Sequence, residues 1–309
     1  MAPFDLAALP PQTGRVAVVT GANTGIGYET ALALAKTGMT VVLACRDLAK
    51  ATQAQDQIMA QVTGAKVEVM RLDLSQLASV REFAQAYRDR FSRLDLLINN
   101  AGVMCPPYSQ TEDGFECQMG VNYFGHFLLT ELLLDLMPDT SESRVVSLSS
   151  NAHKMAQIDF ADLQSEESYS PMGAYAQSKL ACLMFALELD RRLKAGEGIA
   201  AEKQKRQVLS VCAHPGGSPT ELGRHIPDAV ALLLQFTLLP FTHGPDQAAL
   251  PTLYAALGPD VKGGDYFGPQ GFLEISGEPG KVSPSKTALQ EDAARELWER
   301  SERLVGLEE

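Results

Sequence analysis

Thr20-Gly21-Ala22-Asn23-Thr24-Gly25-Ile26-Gly27 stands between a β-branched run, Val16–Thr20, and a stretch of helical spacing over 27–37 that Gly38 closes. Its three glycines let the backbone turn tightly and come close to an anion. A helix that opens at such a turn aims its positive end at that anion. The spacing is GxxxGxG rather than the commonest dinucleotide fingerprint, GxGxxG, so the loop alone is weak evidence. Its place after the first strand, at the opening of a helix, is what points to a dinucleotide site.

Outward from this turn the chain alternates. Thr40–Ala44 reads as a strand and Leu48–Gln61 as a helix capped by Asp47. Val67–Leu72 reads as a strand, Gln76–Phe91 as a helix with Ser75 as its cap, and Leu94–Ile98 as a strand. Further on, Val121–Met137 reads as one long apolar helix stopped by Pro138. Arg144–Leu148 is a strand, Ala174–Lys194 a helix and Val208–Ala213 a strand. Strands that alternate with helices of this length imply right-handed crossovers and a parallel sheet covered on both faces. The expected fold is α/β, a doubly wound parallel sheet of Rossmann type, in a single domain over residues 1–309. Two polar stretches, Asp159–Pro171 and Ala195–Gln207, read as insertions.

Composition narrows the function. The chain has 309 residues, 45% hydrophobic and 21% charged, as in an ordinary globular protein. A formal charge of −12 repels phosphate backbones, so nucleic acid is not expected as a partner; Lys203–Arg206 reads as a solvated run. Cys45, Cys105, Cys117, Cys182 and Cys212 are odd in number and hold no CxxC, and the five histidines lack ligand spacing. Neither a disulfide framework nor a metal site is expected, and a reducing, cytoplasmic location fits. The N-terminus has no signal-peptide pattern. The longest apolar run, Val230–Leu239, is about half the length of a membrane span.

At the end of the second strand, where a dinucleotide fold places its ribose or 2′-phosphate contact, stand Arg46 and Asp47. A guanidinium suits a phosphate, whereas Asp47 has sufficient work as a helix cap. The preference read from this pair is NADP(H), with NAD(H) as a second cofactor.

With these motifs in view the chain resembles the short-chain dehydrogenase/reductase family over nearly its full length. TGANTGIG resembles that family's cofactor loop, with Gly21, Asn23, Thr24, Gly25, Ile26 and Gly27 as contacts. Asp73-Leu74 resembles its adenine contact, and Asn100-Ala101-Gly102 the segment that lines the cofactor. Asn122, Ser150, Tyr175 and Lys179 fall where the family keeps its catalytic residues. His214-Pro215-Gly216, followed by Ser218 and Thr220, resembles the motif that closes over the nicotinamide. The phrases ACRD, NNAGVM, NYFGHFLLT and SSNAHK are similar to the retinol dehydrogenase and protochlorophyllide reductase-like branch, whose members with arginine at the position of Arg46 generally prefer NADP(H). Two departures stand out. No N-terminal membrane anchor of the kind usual in the retinol enzymes is expected, and Tyr28 stands where many carry lysine.

The chemistry implied is hydride transfer between a nicotinamide and a carbonyl or alcohol. A tyrosine hydroxyl titrates near about 10, so it needs a neighbouring cation to work at neutral pH. Tyr175 and Lys179, four apart on a helix, share a face. Ser150 would hold the substrate oxygen, and Lys179 the nicotinamide ribose. Asn122 would anchor a water that links Lys179 to solvent. Ser149 competes with Ser150, but neighbouring strand residues face opposite ways; His126 and His214 read as structural. The segment 219–245, rich in leucine and phenylalanine, is expected to cover a hydrophobic substrate. The resemblance also implies a homodimer or homotetramer. Two other functions would use the same fold, a light-dependent tetrapyrrole reductase and a non-catalytic NADP-binding sensor. Such sensors commonly lose the Tyr or Lys that this chain keeps.

Overall fold

Alternation along single strands divides the apolar residues of this chain between two cores. Ala17 and Val19 of the first strand face one way, toward Ala31, Leu34, Ile58 and Leu253. Val18 faces the other, toward Val80, Phe83, Phe127 and Leu183. The computed structural model describes residues 4–196, 205–217 and 244–307. Its strands are β1 Val16–Thr20, β2 Thr40–Cys45, β3 Lys66–Arg71, β4 Leu96–Asn99, β5 Arg144–Leu148, β6 Leu209–Ala213, β7 Tyr266–Pro269 and β8 Pro279–Lys281. They form one sheet in the order β3-β2-β1-β4-β5-β6-β7-β8, parallel throughout except for the last pair.

Helices α1 Gly25–Lys36 and α2 Leu48–Gln61, with the later helix Leu250–Leu257, cover one face. Helices α3 Leu77–Arg90, α4 Gly125–Leu133, α5 Pro171–Ala195 and the C-terminal helix Glu291–Leu304 cover the other. The expected doubly wound α/β fold is therefore the one that forms. Because β1 lies between β2 and β4, the chain changes its winding direction there, and a crevice opens beyond the strand ends where such folds bind their ligands. The second face is anchored by Trp298, which stacks on Phe185 (5.5 Å between centroids) and meets Phe127 edge-on at 4.9 Å. Burying one large apolar side chain of this kind stabilises a fold by about 1.5–3 kcal/mol.

Local sequence explains most boundaries. Asp47 caps α2 as expected, accepting from the Lys50 N–H at 3.1 Å. Helix α5 begins at Ser170-Pro171, and it ends at Gly196 (φ 74°), a left-handed position suited to glycine. Ser75 is not the cap of α3. Gln76 holds the N-cap position, and the Leu77 N–H donates instead to Asp113 Oδ2 at 2.8 Å, from a loop 36 residues away.

The long helix expected over 121–137 is in three pieces: a π-helical turn Met119–Phe124, then α4, then a short turn Leu134–Leu136. The Gly125 N–H bonds back to the Gly120 carbonyl, one residue farther than in an α-helix. The wider turn lets the helix pass close to β3's exit, where a Cβ on Gly125 would stand 2.7 Å from the Leu74 carbonyl.

Both sheet edges are polar. β3 carries exposed Lys66 and Arg71, and β8 is Pro-Gly-Lys, with Lys281 paired to Asp265 at 2.8 Å. Among the described residues no helix is long and apolar enough to cross a membrane.

Candidate active site

At the end of β1 the backbone leaves the sheet through Gly21 (φ 64°) and re-enters a helix at Gly25 (φ 58°). A Cβ on Gly27 would lie 2.5 Å from both Asn100 Nδ2 and the Gly21 carbonyl, so only glycine lets the two turns close on each other. Thr20 ties them together. Its hydroxyl accepts from the N–H groups of Asn100 and Ala101, both at 2.9 Å, while Asn100 Nδ2 donates to the Thr20 carbonyl at 2.7 Å. The first turn of α1 thereby faces a cleft of about 500 Å³, lined by Asn23, Thr24, Gly25, Ile26 and Gly27 among others.

The far end of this cleft is polar and exposed. Arg46, Asp47 and Lys50 line it, with Asp73 and Leu74 beside them. One oxygen of Asp47 is engaged by its own helix, and Asp73 Oδ1 accepts from the Ser75 amide (3.1 Å) and hydroxyl (2.6 Å). Arg46 and Lys50 are the cations of this end, beside the carboxylates of Asp47 and Asp73.

The near end is buried. Lys179 is 4% exposed and Tyr175 5%, and the Lys179 Nζ lies 5.9 Å from the centroid of the Tyr175 ring. That ammonium donates to the Leu148 carbonyl at 3.0 Å, at the C-terminal end of β5. The serine pair separates, with Ser149 rather than Ser150 on the cleft lining. Ser149 is buried and its hydroxyl donates to the Lys179 carbonyl at 2.7 Å. Ser150 is half-buried and accepts from the Ala152 N–H at 3.2 Å, which leaves its own proton to be donated elsewhere.

Asn122 lies behind the cleft wall. Its amide both accepts from the Val103 N–H (2.8 Å) and donates to the Val103 carbonyl (3.0 Å) and to Ser178 Oγ (2.9 Å). It therefore pins the Gly102-Val103 loop against α5, where a Cβ on Gly102 would stand 3.5 Å from Lys179 Nζ.

His126, which read as structural, and His153 are both buried and bonded. His126 Nδ1 lies 2.9 Å from the Asn122 carbonyl and must donate to it, so Nε2 accepts from the Thr20 hydroxyl at 2.8 Å. Burial, with Lys179 nearby, pushes this imidazole down to about 4. His153 likewise donates from Nδ1 to the Ser150 carbonyl (2.7 Å) and accepts from the Ser285 N–H (3.2 Å), fixing the backbone of Ser150.

The structure thus brings together the glycine turn, Arg46, Asp73, Leu74, Asn100, Ala101, Gly102, Tyr175, Lys179 and Pro215 around one cleft. Ser150, Asn122 and Gly216 stand just outside its lining. Ser218, Thr220 and nearly all of the expected cover segment lie outside the described residues. Sequence reading missed Lys50, Val103, Thr111 and Cys117, which also line the cleft. They come from a helix start and from the segment after β4, and no local pattern marks them. Among the described residues there is no cluster that could hold a metal ion, and the five cysteines are unpaired thiols.

A doubly wound sheet with a glycine turn at its switch point, and a lysine one helical turn after a buried tyrosine, defines an oxidoreductase of the nicotinamide-binding class. The family model for short chain dehydrogenases matches residues 15–229, and the chain belongs to that family, on its retinol dehydrogenase-like branch. It is 44% identical over 301 residues to retinol dehydrogenase 13 of Mus musculus, covering 95% of this chain and 84% of that protein. Polyprenol dehydrogenase of Mus musculus is 40% identical over 309 residues, covering 98% and 87%. Among solved structures, an uncharacterised protein from Mycobacterium paratuberculosis superposes with a TM-score of 0.79 at 39% identity, covering 98% of each chain. A short chain dehydrogenase from Shigella flexneri complexed with NADP superposes with a TM-score of 0.59 at 26% identity, covering 83% of this chain and 97% of that one.

Proposed function

We propose that the protein is an NADP(H)-preferring oxidoreductase that interconverts a hydrophobic aldehyde or ketone with its alcohol. The observation that carries this reading is the buried Tyr175–Lys179 pair at the closed end of a cleft whose open end presents Arg46 and Lys50. The fit to a dinucleotide is shape and charge together. Gly21 and Gly27 let the turn close so that the start of α1 lines the cleft, where a pyrophosphate would meet the helix N-terminus, and Arg46 with Lys50 suits a 2′-phosphate at the other end.

Bound there, a reduced nicotinamide would supply the hydride. This chain's own residues do the rest. Tyr175 gives its hydroxyl proton to the substrate oxygen in reduction and takes the alcohol's proton in oxidation. Lys179 places positive charge beside the phenol, where it stabilises the negative charge left as the proton departs. Ser150 donates to the same substrate oxygen, held in place by His153. Pro215 and Gly216, with Ser218 and Thr220, would contact the nicotinamide side, and Asn122 would fix the route by which protons reach Lys179.

The relatives named for retinol and polyprenol act as precedents for an apolar alcohol. A cytoplasmic setting is supported by cysteines that carry no disulfide, and assembly into a dimer or tetramer accords with the family. The test is a panel of aldehydes, ketones and alcohols followed by NADPH absorbance. Turnover with apolar carbonyls is the expected result; no turnover with any of them, alongside NADPH binding, would support the sensor reading instead.

A further inference from the structure

One carboxylate at the nicotinamide end touches both of the segments that build that end. It belongs to Glu274, in the tight turn Phe272–Glu274 between β7 and β8. Leu273 (φ 51°, ψ 23°) and Glu274 (φ 56°) are both left-handed although neither is glycine, a costly conformation that persists only where the surroundings enforce it. The enforcing contacts reach in two directions.

Toward the substrate side, Asn151, next to Ser150, donates from Nδ2 to the carbonyls of Leu273 and Glu274, each at 3.2 Å. Lys154 Nζ donates to Glu274 Oε2 at 2.8 Å. Toward the nicotinamide side, the Gly217 N–H donates to the Ile275 carbonyl at 2.8 Å, and Glu274 Oε2 lies 3.1 Å from His214 Nε2.

His214 is fully buried, and its Nδ1 accepts from the Gly216 N–H at 3.3 Å, so its proton sits on Nε2, facing the carboxylate. The N–H points off the line to the oxygen, which makes this a close electrostatic contact rather than a linear hydrogen bond. It is still strong enough, with Lys154 and against partial burial, to hold the Glu274 carboxyl down to about 2. The packing here leaves no slack. A Cβ on Gly216 would lie 2.3 Å from the Ile275 carbonyl, and one on Gly268 would lie 2.0 Å from His214 Nε2.

We propose that Glu274 is a positioning residue that locks the His214-Pro215-Gly216 turn to the short helix Asn151–Met155 after Ser150, so that the seat of the nicotinamide ring and the seat of the substrate oxygen keep a fixed separation. The proposal rests on the cofactor reading above. Hydride transfer depends steeply on the spacing and alignment of the two carbons, so a lock between the seats acts on the chemical step without touching either reactant.

The test compares wild type, Glu274→Ala and Glu274→Gln by calorimetric titration with NADP+ and with 2′-phospho-ADP-ribose, which is the same ligand without the nicotinamide. Glu274→Ala should bind NADP+ about tenfold more weakly, bind the truncated ligand within about twofold of wild type, and lose more in kcat than in KM for the carbonyl. Glu274→Gln keeps an acceptor oxygen for His214 and Lys154, and should recover most of the loss. Lys154→Met removes one arm of the lock while sparing the turn's backbone bonds, and should show the same split at smaller size even if Glu274→Ala does not fold. Parallel weakening of both ligands, or variants equal to wild type in NADP+ affinity and kcat, would overturn the proposal alone. Wild-type protein that binds neither ligand would overturn the cofactor reading, and this inference with it.

Discussion

The two ends of the cleft are built on opposite principles. At the proposed adenosine end Arg46 and Lys50 stand on the surface at the start of α2, where a side chain can be exchanged with little effect on the core. At the proposed nicotinamide end Asn122, Ser149, His126 and His153 are each held by two or more hydrogen bonds, or buried among groups that are. On the function proposed above, charge would govern binding at the first end and geometry the reaction at the second. The difference teaches that cofactor choice and chemistry in this chain should respond to mutation independently.

The hardest test of that separation is Tyr175→Phe. Turnover should fall by about 10²- to 10⁴-fold with NADPH affinity unchanged, measured by steady-state kinetics and direct titration. Loss of both together would mean that the two ends are not independent.

A second test strains the buried end by pH. His126 is neutral in the fold and titrates at about 4, whereas an unfolded histidine titrates near about 6.5. Between these values the unfolded chain takes up the proton more readily. The contribution of His126 is therefore complete above about 6.5 and is lost as pH falls toward 4, by up to about 3 kcal/mol. Burial raises Glu116 and Glu131, which work in the opposite sense, so the informative quantity is the difference between wild type and His126→Gln. Chemical denaturation across pH 4–7 should show a flatter profile for the variant.

The exposed end should give smaller effects. Arg46→Ala should lower the ratio of kcat/KM for NADPH over NADH by about 10- to 100-fold without changing kcat. An unchanged ratio would leave the 2′-phosphate without its main partner. Smallest of all, Asp47→Ala removes the α2 cap and should cost about 1 kcal/mol, seen as a Tm lower by about 2 °C, with turnover intact.

The same contrast governs how much could be read from the sequence. The adenosine end was legible because its signals are local: a strand, a glycine turn, a cap at Asp47 and a cation beside it. The motif residues Tyr175 and Lys179 were legible through the family resemblance and their place after Asn122 and Ser150, since a Tyr and Lys four apart on a helix would by themselves read as an ordinary surface pair.

What escaped reading is non-local. The cap of α3 comes from Asp113 rather than Ser75, and the break between the π-helical turn and α4 answers to close contact with Leu74. The short strands β7 and β8 contain glycine and proline, which read as turns in isolation. Glu274 carries no local signal at all, because its partners Lys154 and His214 lie 120 and 60 residues upstream and only the folded sheet brings them to one oxygen.

The polar sheet edges have a consequence for the protein in bulk. β8 ends the sheet in Pro-Gly-Lys, and a proline on an outer strand offers no N–H for an incoming chain to pair with. At the opposite border the charges of Lys66 and Arg71, with Glu68 bonded to Arg90 at 2.5 Å, oppose a second copy in register. Continuation of the sheet from one molecule into the next is disfavoured at both of these borders. Self-assembly of this chain should therefore proceed through helical faces, and crowded solutions should resist the fibrous aggregation that bare strands invite.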